Sequence, residues 1–188
     1  ISLFLVVSIV LILTEKYLLK LTQQAKRDLM TGLYNKMTLT RYVDMALRDN
    51  NSGFLLILDV DNFKQVNDGF GHPEGDRVLK EIAAFLGRNM RKDDVVARLG
   101  GDEFAVFAAG LVPGPALERV LAQLSGGIYA RNPRPADMPE DLQPSVSIGA
   151  VVCTRTSVTF DDLYQVADEA LYVAKRGGKS QAALRRLD

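Results

Sequence analysis

The sequence predicts a mixed α/β (α+β) domain in which helices flank a central sheet that is antiparallel in part, and three observations point to it. Phe54 to Leu58 is an unbroken apolar run bounded by Asn-Ser-Gly and by aspartates, the pattern of a strand buried on both faces. Segments with apolar residues at helical spacing precede and follow that strand, so helices cover the sheet. Two further strand patterns meet at Gly100-Gly101 as a hairpin does.

Taken in order, the first thirteen residues, ISLFLVVSIVLIL, carry no charge and are helical in pattern. A membrane crossing needs about 20 apolar residues, so residues 1–13 are expected to be the C-terminal part of a transmembrane helix that begins before Ile1. A buried helix and a signal remnant are the other readings, although no basic stretch precedes the run and no small-residue cleavage site follows it. Lys16, Lys20, Lys26 and Arg27 come next, which by the positive-inside rule puts the rest of the chain in the cytoplasm. Residues 14–27 carry Leu18, Leu21 and Ala25 at three- and four-residue spacing, either a short dimeric coiled coil or a solvated linker helix. The globular domain is placed at 28–188, with Gly32 in a turn before a helix whose inner face is Leu39, Tyr42, Val43, Ala46 and Leu47. After the central strand come a helix from Asp76 to Met90, strands at Asp94–Leu99 and Glu103–Ala108, and a helix from Pro115 to Leu124. A Pro-rich loop around Asn132–Pro144, a strand at Ser145–Val152, a helix at Phe160–Lys175 and a short strand near Gln181–Leu184 complete the order αβαββαβα(β).

Composition narrows the function classes. The 188 residues are 47% hydrophobic and 24% charged, with 23 basic and 23 acidic side chains, so neither a nucleic-acid coat nor a polybasic tail is expected. The lone cysteine, Cys153, cannot form an internal disulfide and reads as a small buried hydrophobe in a reducing compartment.

Chemistry concentrates at two places. Asp59 and Asp61 leave the central strand two residues apart, on one face, and Asp102 and Glu103 sit in the hairpin. If the hairpin lies beside the central strand, three or four carboxylates converge with no obvious basic partners nearby in sequence. Such a cluster repels itself unless a hard divalent cation is present; magnesium, or manganese, suits the oxygen ligands. Few protein ligands are needed when phosphate oxygens supply the rest, which points to a nucleoside triphosphate. Gly100 and Gly101 allow positive φ and let a ligand approach the backbone, although an ordinary polar turn uses the same residues. Two motifs are set aside. Gly177-Gly178-Lys179-Ser180 has Val173 where a P-loop needs glycine and follows a helix instead of starting one, and Gly69, Gly71 and Gly75 miss the dinucleotide-binding spacing. His72, the sole histidine, is read as a structural loop residue.

The intact Gly100-Gly101-Asp102-Glu103-Phe104, with DLMTGLYNK, LDVDNFKQVNDGFGHPEGD, VSIGA and ADEALYVAKRGGK in that order, resembles the GGDEF family of diguanylate cyclases, from Asp28 to about Ser180. The resemblance implies a palm-like nucleotidyl cyclase fold and condensation of two GTP into cyclic di-GMP with loss of pyrophosphate. It also implies a homodimer, because each protomer binds one GTP. By similarity, Asp59, Asp102 and Glu103 with the Val60 carbonyl form the metal group, and Asp102 or Glu103 helps deprotonate the 3′-hydroxyl. Asn67 and Asp76 match the guanine readers, with Phe63, Gly100 and Gly101 also assigned to substrate binding. Lys64, Lys175 and Lys179 match phosphate-contacting positions, Lys64 counted among the catalytic groups. Arg91 and Asp94 match an inhibitory product site for cyclic di-GMP, where a planar guanidinium fork suits a guanine edge or a phosphate. A location at the bacterial inner membrane follows from the resemblance together with the N-terminal segment. Lys36 departs from the arginine frequent at its position, and Ser180 from the usual Asn or Asp. The competing expectations are a catalytically silent module that senses GTP or cyclic di-GMP, a pure dimerisation module, and a cyclase making a mixed dinucleotide.

Overall fold

A computed structural model describes residues 3–48, 52–110, 144–154 and 158–187, together with 115, 118, 121, 122 and 138. Helix α1 (Leu3–Ala25) leads into strand β1 (Tyr34–Asn35) and helix α2 (Lys36–Arg48). Strand β2 (Gly53–Val60) is followed by helices α3 (Phe63–Phe70) and α4 (His72–Asn89), then by strands β3 (Val95–Gly100) and β4 (Glu103–Ala109). Strand β5 (Val146–Cys153), helix α5 (Phe160–Arg176) and strand β6 (Ala182–Leu187) close the order.

The sheet runs β1-β3-β4-β2-β5-β6. Its centre is antiparallel, β3 with β4, β4 with β2 and β2 with β5, while the outer pairs β1·β3 and β5·β6 are parallel. The apolar run of β2 makes it central for a physical reason: both faces are covered. Phe54, Leu56, Leu58 and Val60 join a core with Val78, Leu79, Ile82 and Leu86 of α4. Leu55 and Ile57 join a second core with Leu39 and Val43 of α2 and Leu163 and Ala167 of α5. Each of the Val, Leu, Ile and Phe side chains contributes roughly 1.5–3 kcal/mol on burial, so a central strand without alternation is held from both sides.

The mixed sheet and its helical cover agree with the expectation, and several boundaries differ. α3 was not anticipated, because eight residues interrupted by Asn67, Asp68 and Gly69 carry little helical signal. α4 starts at His72, four residues before the expected Asp76, with Pro73 in its first turn. His72 is therefore an exposed helical residue and not a loop residue. β1 is too short to register as a pattern, and β6 extends to Leu187. Tyr42 lies largely outside the buried face of α2 and packs on Tyr34 with ring centroids 5.6 Å apart. Cys153 is fully buried. Pro115, Glu118, Leu121 and Ala122, the described residues of the expected 115–124 helix, are helical; the rest of that helix and nearly all of the 132–144 loop lie outside the described residues.

α1 unites the two N-terminal segments into one helix of 23 residues. Among the described residues, no helix is long and apolar enough to cross a membrane. Val6, Val7, Ile9, Val10, Leu11, Ile12 and Leu13 are all exposed on α1. The side chains of Leu18 and Leu21 lie outside the described set. The junction with the domain is bonded from Ala25 onward: Asn35 Nδ2 donates to the Ala25 carbonyl at 2.8 Å, and Thr38 Oγ1 to that of Lys26 at 2.9 Å.

Candidate active site

The end of β2 and the β3–β4 hairpin meet because the strands pair in register, Asp59 opposite Glu103. The Val60 amide donates to the Asp102 carbonyl at 3.3 Å, which fixes the hairpin turn over the strand end. Gly100 and Gly101 make that turn with φ of 149° and 52°, and the ladder shifts register between Arg98 and Gly100. Side chains other than glycine are strained at such angles.

One open cleft of about 340 Å³ gathers most of the expected residues: Asp59, Val60, Phe63, Lys64, Asp102, Lys175 and Lys179. Asp61, expected among the converging carboxylates, also lines it, as do Asn62 and Gln65, to which the sequence had given no place there. Lys175 Nζ lies 2.8 Å from Asp59 Oδ2. Burial raises the Asp59 carboxyl above the usual range; the Lys175 ammonium opposes that, and the charges of Asp102 and Asp61 add to it. Glu103 does not line the cleft. Its carboxyl is raised by burial, then by Asp59, Asp102 and Asp168, with Lys175 alone opposing.

Asp61 corrects one expectation. It stands beside Asp59 and Asp102 at the cleft, but it is 2% exposed and its oxygens are already bonded, so it serves as a structural anchor. Ser145 Oγ and Ser147 Oγ donate to it at 2.6 and 2.7 Å, and the Ser180 amide donates at 3.0 Å. The carboxylate thereby ties the end of β2 to β5 and to the loop after α5. That loop carries Lys179, whose Nζ donates to Asn62 Oδ1 at 2.8 Å. Among the described residues, the non-glycine positions with positive φ are Asn62, Lys179 and Ser180, all in this corner. Strained backbone concentrated at a cleft is held by its surroundings, and here Asp61 supplies part of the hold.

Asn67 lies on α3 and Asp76 on α4, the two helices that pack on each other, and neither lines the cleft. A Cβ on Gly75 would lie 2.0 Å from Asn67 Oδ1 and 3.2 Å from Phe63 Cζ, so the absence of a side chain lets the carboxamide and the ring lie against α4. Phe63 thus joins this corner to the cleft. Gly75 was passed over in the sequence because the dinucleotide spacing it failed said nothing about a neighbour eight residues earlier.

Among the described residues, no group of three or more His, Cys, Asp and Glu side chains is placed to hold a metal ion. With Asp61 taken up by Ser145, Ser147 and Ser180, what the cleft offers is smaller: the carboxylates of Asp59 and Asp102 and the main chain at Val60. That donor set is all oxygen and carries more negative charge than its one paired lysine offsets, which suits a hard divalent cation that completes its shell with phosphate or water.

Arg91 and Asp94 lie elsewhere, in a separate cleft of about 300 Å³ shared with Arg27, Tyr34, Met90 and Val96. The Arg91 amide donates to Asp94 Oδ2 at 2.8 Å, and burial raises the Asp94 carboxyl. Arg98, unassigned from sequence, is 10% exposed at its side chain and holds the hairpin to Asp28. A lone cation in a strand next to a glycine turn was the available signal.

Comparison with known proteins identifies the family and the fold. The family described as "Diguanylate cyclase, GGDEF domain" matches residues 25–181. The diguanylate cyclase TpbB of Pseudomonas aeruginosa is 35% identical over 172 residues, covering 89% of this chain and 39% of TpbB. The diguanylate cyclase DgcS of Shewanella oneidensis is 34% identical over 167 residues, covering 86% of this chain and 53% of DgcS. The chain spans about a quarter to a half of the length of the curated relatives it matches. The solved coiled coil and GGDEF domain of Caulobacter crescentus DgcB, in complex with cyclic di-GMP, superposes with a TM-score of 0.83 at 26% identity, covering 97% of both chains.

Proposed function

The chain belongs to the diguanylate cyclase GGDEF-domain family, and on that premise we propose that it condenses two GTP into cyclic di-GMP with release of two pyrophosphates, one GTP bound by each of two protomers. The observation that carries this is the single cleft in which Asp59, Val60 and Asp102 face Lys64, Lys175 and Lys179.

The lysines bind the triphosphate and offset charge that develops on the leaving pyrophosphate. Asp59, Asp102 and the Val60 carbonyl would hold magnesium or manganese, which when bound supplies Lewis-acid polarisation of the phosphate. Lys175, paired with Asp59 at 2.8 Å, is placed to turn from carboxylate to phosphate as the nucleotide arrives. Glu103, whose proton affinity is raised by burial and then by the neighbouring carboxylates, accepts the proton of the 3′-hydroxyl. Asn67 and Asp76 read guanine, the carboxylate accepting from N1–H and the exocyclic amine. Each 3′-hydroxyl must reach the α-phosphate of the opposite nucleotide, so activity requires a homodimer. The Arg91–Asp94 cleft takes cyclic di-GMP as an inhibitor. The exposed apolar residues of α1 and the cations after them support attachment at the cytoplasmic face of a bacterial inner membrane, which fractionation of the native host checks.

The test is incubation with GTP and magnesium and identification of the product by chromatography and mass. Cyclic di-GMP supports the proposal; bound but unconsumed GTP would favour a silent sensor instead.

A further inference from the structure

The second cleft contains a cation that its sequence motif does not include. Arg27, two residues after α1, lines the same cavity as Arg91 and Asp94. Its guanidinium lies over the Tyr34 ring at 4.8 Å, and Nη1 donates to the Gly32 carbonyl at 2.5 Å. A guanidinium has five N–H donors, so this bond positions the fork without exhausting it. Lys92 adds a third cation to the lining, against the one carboxylate of Asp94, which is already engaged by the Arg91 amide. Met90 and Val96 supply an apolar floor on which a flat base can rest.

Resting on the reading of this cleft as a product site, we propose that Arg27 is a further phosphate contact there, so that a cyclic dinucleotide, with two anionic phosphodiesters, is gripped from both sides. Arg91 holds it from the α4–β3 turn and Arg27 from the segment that follows α1. Binding then fastens the segment after α1 to the domain. The segment is bonded locally: Arg27 bridges to Tyr34, and the Asn35 amide donates to the Lys26 carbonyl at 3.0 Å. The next residue, Asp28, holds Arg98, and Arg98 holds the Gly101 carbonyl of the catalytic turn. Occupancy of the cleft is thereby coupled to the mobility of the hairpin, and the coupling is reciprocal.

The test is calorimetric titration of the 188-residue chain with cyclic di-GMP, using the parent, Arg91→Ala and Arg27→Gln. Both variants are expected to bind roughly tenfold more weakly or worse, the loss of a charge-assisted hydrogen bond. Arg27→Gln should keep the parent's initial rate with GTP while requiring correspondingly more cyclic di-GMP for inhibition. Weak binding by Arg91→Ala with parent-like binding by Arg27→Gln overturns the proposal and leaves the product site standing. Parent-like binding by both overturns the product site and the proposal with it. Hydrogen exchange on the parent alone gives a check independent of any variant's folding: cyclic di-GMP should slow the amides from Arg27 to Asn35, and unchanged exchange there overturns the grip.

Discussion

Arg98 grips the carbonyl of Gly101 with two nitrogens, Nε at 3.0 Å and Nη2 at 2.6 Å, while its third nitrogen reaches Asp28 at 3.2 Å. One guanidinium fork therefore sets the Gly100-Gly101 turn against the start of the domain. Lysine offers a point charge in place of a planar fork, so Arg98→Lys is expected to keep the fold and lose tenfold or more in kcat, with a smaller change in KM, as steady-state kinetics with GTP measures. Equal kinetics in variant and parent would mean that the turn holds itself.

Asp59 and Asp102 are expected to be indispensable to turnover and dispensable to folding. Asp102→Asn should lower kcat by roughly a hundredfold or more while leaving the circular dichroism spectrum unchanged. Near-normal turnover with magnesium would remove Asp102 from the metal group.

Gly75→Ala places a methyl group 2.0 Å from Asn67 Oδ1. Overpacking of this kind typically costs about 1–3 kcal/mol, and the carboxamide must move. The expected outcome is a KM for GTP raised about tenfold and weaker discrimination against ATP; a pure loss of thermal stability with unchanged KM would make Gly75 a packing residue only.

The two classes of shifted carboxylate give opposite responses to pH. Glu103 is raised by burial and by Asp59, Asp102 and Asp168, so folding is favoured when it is protonated, and that contribution is lost as pH rises through its folded value. Glu103→Gln should accordingly raise Tm at pH 7 in metal-free buffer, the gain shrinking as pH falls toward the ordinary carboxylate range. Asp28 behaves inversely. Burial opposes its ionisation, but hydrogen bonds from Thr31 and Arg98 outweigh that and lower it. Its stabilisation is present above the unfolded value and disappears as pH falls through the folded one. Thermal melts of Asp28→Asn should therefore show a deficit at pH 7 that closes in acid.

A chain beginning at Ala25 retains the carbonyls that Asn35 and Thr38 use, so it should fold, where one beginning at Asp28 loses both bonds. If the helix raises the effective concentration of a partner as proposed, specific activity without it should fall steeply on dilution. Activity independent of concentration in a monomer, judged by light scattering, would reject catalysis between protomers.

The sequence by itself determined the strand Phe54–Leu58, the helix over Phe160–Lys175 and the presence of carboxylates beside a glycine hairpin, because these signals are local: apolar period, turn chemistry and adjacency in the chain. It also carried the order of motifs from which the family was legible. Tertiary structure alone decided which carboxylate does what. Asp59 and Asp61 look equivalent two residues apart, yet Asp59 meets Lys175 in the cleft while Asp61 turns to Ser145, Ser147 and Ser180, partners 84 to 119 residues away. The contact of Gly75 with Asn67 depends on α3 folding back onto α4, and the bond of Arg98 to Asp28 spans 70 residues. Periodicity records which face of an element is buried, but not what waits on the other side, since that partner is brought there by strand pairing and helix packing elsewhere in the chain.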